Sequence, residues 1–313
     1  MFNHTQEAFG QFIIHHIINK ETDTGFSIAP GYGGIVLDIK FGGISILDDC
    51  KTPIELDLNR WGKSALLYPF PNRLKDGIYQ WKGKEYQFPI NDDGANNALH
   101  GLGMTKPMNA TKVVTNEESG TFSCQYRDEG KHEYYPFPFN FGISFKITEN
   151  TFEGTFSFEN TGESSIPVGY GWHPYFALSE KVGECELILP ELDLVGIDVG
   201  MIPTGKRYAF DEFLSWRKIG STVLDNCFAI KNPKSDRIQI EMKGPKGHLK
   251  YWQEVGEGKY QYVQLFMPPH RESLAIEPMT CNVNAFNNGD GLIELAPGAS
   301  SSASFGFSFM GNN

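Results

Sequence analysis

The 313-residue chain carries 27 Lys+Arg against 38 Asp+Glu, a net charge of −11, with a pI near 5.2. Such a chain has no basic footprint for a phosphate backbone or an anionic membrane surface, so neither nucleic acid nor membrane is an expected partner. Hydrophobic residues at 40% exclude a disordered chain, and 34 Gly with 18 Pro imply many turns and a strand-rich fold.

From the N-terminus, MFNHTQEAFGQFIIHHIINK lacks a basic n-region and a small-residue cleavage site, so it reads as neither a signal peptide nor an anchor. Gln6 to Ile18 is the best candidate for a short helix, although its β-branched residues and Gly10 weaken the propensity. Gly31-Tyr32-Gly33-Gly34 precedes a strand and lacks Lys-Ser/Thr; it reads as a turn, not a phosphate loop. Period-two alternation, the mark of half-buried strands, then recurs at Ile35–Phe41, at Phe141–Ile147 and Phe152–Phe158 around a Glu149-Asn150 turn, at Ile238–Met242, at Tyr260–Phe266 and at Phe305–Phe309. The two runs around the Glu149-Asn150 turn predict a hairpin.

No βαβ rhythm, repeat or linker interrupts the pattern. The expected architecture is therefore all-β: one domain over 1–313, built of packed antiparallel sheets with short peripheral helices. The five cysteines (50, 124, 185, 227 and 281) show no CxxC spacing, and the histidines, including the adjacent His15-His16, show no zinc pattern. Reduced thiols and no metal are expected. No run approaches the roughly 20 apolar residues of a membrane span, and a cytoplasmic location follows as an expectation. No GxSxG elbow supports nucleophilic acyl chemistry.

Four segments place polar or titratable residues inside apolar runs, where an unpaired group costs a few kcal/mol. They are Asn72-Arg73 in LLYPFPNRLKDG, His100 in NNALHGLG, His173 in GYGWHPYFAL and Glu277 in SLAIEPMT. Each has a structural alternative: a satisfied core histidine, or a buried Arg73–Glu277 ion pair. Residue types alone leave both readings open.

In their shared order these segments resemble the aldose 1-epimerase (galactose mutarotase) family over about residues 30–309. The resemblance runs through NRLKDGIYQWKGKEYQFPIN, Leu99-His100-Gly101, Tyr135-Pro136 and His173-Pro174-Tyr175-Phe176. It continues with Leu224-Asp225, YVQLFMPP and Ala275-Ile276-Glu277-Pro278, then Asn284-Ala285-Phe286-Asn287 and Leu295-Ala296-Pro297-Gly298. Departures fall at Tyr68 to Pro71, where galactose mutarotases carry Gly-Arg before the Asn-Arg, at Leu102, and at Gly169-Tyr170-Gly171-Trp172; they bear on which sugar is preferred.

The resemblance implies a large β-sandwich, the galactose mutarotase-like supersandwich. It implies an enzyme that interconverts the α and β anomers of a free aldohexose by acid–base ring opening, with no cofactor. Glu277 would be the base toward the C1 hydroxyl and His173 the acid toward the ring oxygen. His100, Arg73, Asn72 and Asp225 would bind the monosaccharide, and Trp172, Tyr175 and Phe266 would offer aromatic faces. The chain would act as a monomer or homodimer. Two alternatives share the fold: a hexose-phosphate mutarotase, for which Lys106, Arg127 and Lys131 are available cations, and a non-catalytic carbohydrate-binding protein.

Overall fold

The computed structural model describes residues 1–48, 50–92 and 94–312. Its largest element is a nine-stranded antiparallel sheet. The expected hairpin forms its centre: Pro138–Ile147 pairs with Thr151–Asn160, and the latter pairs with the C-terminal strand Ser300–Gly311. On each of these strands, alternate aromatic residues face inward. Phe141, Phe145, Phe152, Phe156, Phe305 and Phe307 are all buried.

They pack on an eight-stranded sheet whose middle strands are Asp225–Ile230, Tyr262–Phe266, Leu274–Met279 and Gly171–Trp172. Trp172 joins the two layers, stacked on Phe305 with ring centroids 4.9 Å apart and near Phe145 at 5.8 Å. Burying large rings in offset or edge-on contact removes much apolar area from water and adds a smaller geometric bonus per pair. Trp172 is thus a core residue, not an aromatic face for ligand, and its indole nitrogen donates to the Ser64 carbonyl at 3.2 Å.

The N-terminal segment departs from the helical expectation. Gln6 to Ile18 forms two strands, Phe2–Phe9 and Phe12–Asn19, joined at Gly10 in the left-handed region (φ 64°). The β-branched isoleucines favour a pleated surface, and pairing with Thr24–Ala29 supplies the sheet context that a local helix reading lacks. Ile35–Phe41 then continues this five-stranded sheet, preceded by the predicted glycine turn. Phe26 and Phe41 dock it against the large sheet, at Phe152 and Phe309 respectively. Among the described residues the α-helices are two and short, Pro53–Leu58 and Ala285–Asn288, the second burying Phe286 in the core; Thr52 caps the first through the Glu55 N–H at 3.2 Å.

Cys124, Cys185, Cys227 and Cys281 are free thiols, and all five cysteines are buried. No helix among the described residues is long and apolar enough to cross a membrane.

Close approach of two chain segments fixes the loop that carries His100. Gly101 has φ 65°, and a side chain there would press on the carbonyl of Tyr68. Gly101→Ala should therefore cost of the order of 2 kcal/mol, since strain and overlap combine; thermal unfolding of the variant measures it, and an unchanged Tm would contradict the account.

Candidate active site

The eight-stranded sheet has two differently composed faces because successive side chains alternate. Val263, Leu265 and Ile276 turn to the core. The opposite face carries Gln264 paired with Glu277 and, on the next strand, with Cys227; one step along, Phe266 pairs with Ala275 and Asp225. Polar side chains from three adjacent strands are thereby brought to one wall.

That wall borders a cavity of about 390 Å³. His173, Tyr175, Arg73, Asn72 and His100 line its other sides, together with Asn59, Trp61, Asp92, Leu99 and Met104. The backbone of His173 is held at both ends: its N–H donates to Ala65 and its carbonyl accepts from Ser64. Its ring stacks on Tyr175, centroids 4.8 Å apart.

Asn72 and His100 both occupy the left-handed region, at φ 57° and 64°. Asn and His tolerate this conformation better than bulkier or β-branched residues. It turns His100 so that Nδ1 accepts the Asn72 backbone N–H at 3.2 Å, which assigns the proton to Nε2 and leaves Nε2–H as a donor. The Asn72 side chain is a hub. Its amide donates to Gln264 Oε1 at 3.2 Å, Gln264 donates to Asp225 Oδ1 at 3.2 Å, and the Asn72 oxygen accepts from the Arg73 N–H at 2.9 Å. Arg73 Nε donates to Asp92 Oδ2 at 2.7 Å. Asn284 ties this strand down from outside, its N–H donating to the Arg73 carbonyl and its Oδ1 accepting from Lys75.

At the base of the cavity His173 Nε2 lies 3.3 Å from Glu277 Oε1. Both groups are nearly inaccessible, at 5% and 1% exposure. Glu277 Oε2 and His173 Nδ1 have no hydrogen-bond partner among the described residues. Burial lowers the His173 imidazole to about 3. Burial raises the Glu277 carboxyl well above the usual carboxylate range, the Asp225 charge adds to that, and the Arg73 guanidinium opposes it. Desolvation also holds His100 neutral, aided by His173 and Arg73, and raises Asp225 against the pull of Arg73. The directions agree physically: a dry site disfavours net charge on either partner, so the pair retains one exchangeable proton and no net charge.

Compared with known proteins, the sequence model described as aldose 1-epimerase matches residues 20–308. The chain belongs to the aldose 1-epimerase family. It is 27% identical over 280 residues to the uncharacterized protein YihR of Escherichia coli, covering 85% of this chain and 84% of that one. Its fold is similar to that of a galactose mutarotase-like protein from Clostridium acetobutylicum, with TM-score 0.87, 21% identity and 99% of each chain covered. A galactose 1-epimerase from Lactobacillus acidophilus superposes with TM-score 0.83 at 13% identity, covering 100% of this chain and 99% of that one.

In this member of the aldose 1-epimerase family, Glu277, His173, His100, Arg73, Asn72 and Asp225 all meet at one cavity. The alternative Arg73–Glu277 ion pair is not formed: Arg73 pairs with Asp92 and Glu277 contacts His173. Of the three suggested aromatics, Tyr175 and Phe266 line the cavity. Sequence reasoning missed Asn59, Trp61, Asp92 and Gln264. Gln264 carried a usable signal, a planar amide inside the apolar YVQLF run; the others lie in loops whose path only the fold defines.

The raised Glu277 carboxyl has a consequence for stability. Above its ordinary value of 4.5 the unfolded chain releases a proton that the native state keeps, so this group's contribution falls as pH rises. Glu277→Gln removes the effect. Its Tm relative to wild type should climb between pH 5 and pH 8 by on the order of 2 °C or more; a gap moving the other way would indicate a stabilising carboxylate instead.

Proposed function

We propose that the protein is an aldose 1-epimerase acting on a free, uncharged aldohexose. The observation that carries the reading is the buried His173–Glu277 contact, 3.3 Å long, with an unpartnered carboxylate oxygen at a cavity otherwise lined by hydrogen-bonding and aromatic side chains. A purely structural pair would be expected to satisfy its polar atoms internally. A binding protein needs neither a buried acid nor an imidazole beside it.

Anomer exchange requires a proton to leave the C1 hydroxyl and another to reach the ring oxygen as the C1–O5 bond breaks. Glu277 as carboxylate takes the first and His173 as imidazolium gives the second. The product is the open aldehyde with a C5 hydroxyl. Before opening the pair is charged and separated; afterwards both partners are neutral, and the proton count of sugar plus pair is unchanged. Rotation about C1–C2 and reversal of both transfers closes the ring on the other face.

In this scheme burial favours the neutral state of the pair, and Arg73 with the sugar hydroxyls supports the charged one. A positioned acid and base of this kind are worth about 10²–10⁴-fold. His100, through Nε2–H, and Arg73 would hold the aldehyde oxygen and ring hydroxyls. Asn72 acts as a positioning residue through Gln264 and His100, and Asp225 accepts a sugar hydroxyl. Tyr175 and Phe266 offer apolar surface to the sugar's C–H face.

Charge supports a neutral substrate over a phosphate. Among the described residues lining the cavity Arg73 is the one Lys or Arg, and it faces Asp92, Asp225 and Glu277. Lys106, Arg127 and Lys131 are not among the lining residues, and Lys131 pairs with Glu129. A bound phosphate is typically met by converging cations.

Glu277→Gln and His173→Asn should each lower kcat by about 10²-fold or more while sugar binding survives, because each keeps approximate shape and removes proton exchange. The double variant should be little worse than the slower single one. Polarimetry from a pure α-anomer, corrected for spontaneous mutarotation, measures both, and near wild-type kcat in Glu277→Gln would sink the scheme. Comparing glucose, galactose and glucose 6-phosphate, kcat/KM should favour a free sugar by tenfold or more. Exhaustive chelation should leave the rate unchanged, since neither proton transfer calls for a Lewis acid.

A further inference from the structure

Between the helix Pro53–Leu58 and the strand Leu66–Leu67 the chain follows an unusual path. Asn59, Trp61, Gly62 and Ser64 all have positive φ, at 36°, 66°, 61° and 53°. Three of these four are not glycine, and such conformations persist only where surrounding contacts hold them. The contacts here lead to His173. The Tyr175 hydroxyl donates to the Trp61 carbonyl at 2.6 Å, and the Ser64 N–H donates to the His173 carbonyl at 2.9 Å.

This path delivers two side chains to the cavity. The Trp61 indole is 41% exposed and lies 6.0 Å from the Phe266 ring. Asn59 is its opposite: only 7% exposed, it lines the cavity, and both its Oδ1 and Nδ2 lack any hydrogen-bond partner among the described residues.

An asparagine chosen only to end a helix in the left-handed conformation can leave its side chain in water. Burying both halves of the amide unpaired costs the desolvation of a donor and an acceptor. A group that carries this cost at the wall of a ligand cavity is matched to something that enters it. A primary amide offers one donor and one acceptor side by side, which complements two neighbouring hydroxyls, one accepting and one donating.

We propose that Asn59 is a substrate-binding residue that grips a pair of adjacent free hydroxyls on the sugar, away from the reacting C1–O5 bond, while Trp61 packs on the exposed part of the ring. This rests on reading the cavity as a sugar site, and it narrows the substrate class to aldoses in which that vicinal pair is unsubstituted. Asn59 selects the substrate and takes no part in proton transfer.

Asn59→Gly is the suitable variant because glycine adopts the left-handed conformation without strain and loses only the amide. Titration calorimetry would compare wild type and variant against glucose, galactose and their 2-, 3-, 4- and 6-deoxy derivatives. Wild type should bind one deoxy sugar, or two that are adjacent in position, about tenfold more weakly than the parent, and Asn59→Gly should erase that difference while weakening the parent about tenfold, as loss of one or two neutral hydrogen bonds predicts.

Trp61→Ala should weaken all sugars alike and keep the deoxy profile. In kinetics the Asn59→Gly change should appear in KM, with kcat within about threefold. If Asn59→Gly lowers the Tm, Asn59→Asp serves instead: it keeps size and acceptor, loses the donor, and should also flatten the profile. An unchanged deoxy profile in a folded Asn59 variant overturns the proposal, as does failure of the wild type to bind any of these sugars. Selective binding without anomerisation supports Asn59 and overturns the enzymatic reading alone.

Discussion

A carboxyl group in the middle of a fully buried strand, touching an imidazole that is almost as inaccessible, is a costly thing to build. Neither Glu277 nor His173 gains stability from its position: desolvation works against charge on both, and removing an ion from water typically costs more than a single partner returns. The rest of the molecule must hold the pair in place. Two packed sheets with an aromatic core supply that stability from elsewhere, and the strand that carries Glu277 is paired on both sides.

The division of labour between sheet faces explains how one short segment can serve core and site together. Trp172 locks the two sheets, and the next residue, His173, enters the cavity. Ile276 packs in the core while Glu277 faces the other way. Because the side-chain period of a strand is two, a slip of one residue would exchange these roles. The register is therefore fixed by the core: large rings such as Trp172 against Phe305 fit only one pairing. Loops add what strands cannot, and here they do so through left-handed residues at Asn59, Trp61, Asn72 and His100, each aiming a side chain inward from outside the sheet.

These two kinds of contribution differ in how far the sequence reveals them. Period-two runs such as Phe141–Ile147 with Phe152–Phe158 were legible as a hairpin because the alternation is local. Glu277 and His173 were legible as anomalies, being polar groups in apolar strands, and their family likeness linked them. The N-terminal hairpin was not, since Gln6 to Ile18 is compatible with either period until Thr24–Ala29 arrives to pair with it. Arg73, singled out in the sequence, lies at the cavity, and its ion-pair partner is Asp92, from a loop, in place of Glu277. Trp172 and Tyr175 look equally suited to a ligand in GYGWHPYF, and only the direction of each side chain, set by the sheet, separates core from cavity.

The network behind the cavity wall gives the pair its setting. Asn72 connects to His100 through its backbone and to Gln264 through its side chain, and Gln264 reaches Asp225; each link uses a donor that has few alternatives, so rotation of any one amide would leave a buried group unpaired. Polarity around the site is accordingly committed in advance, except at the His100 Nε2–H and, among the described residues, at the buried Glu277 Oε2, His173 Nδ1 and Asn59 amide. In the proposed reaction those uncommitted atoms are where the ligand and its protons have room to act. A hydroxyl at Glu277 Oε2 would stabilise the carboxylate that burial opposes, so substrate entry itself would move the pair from its neutral resting form toward the charged form that can begin ring opening.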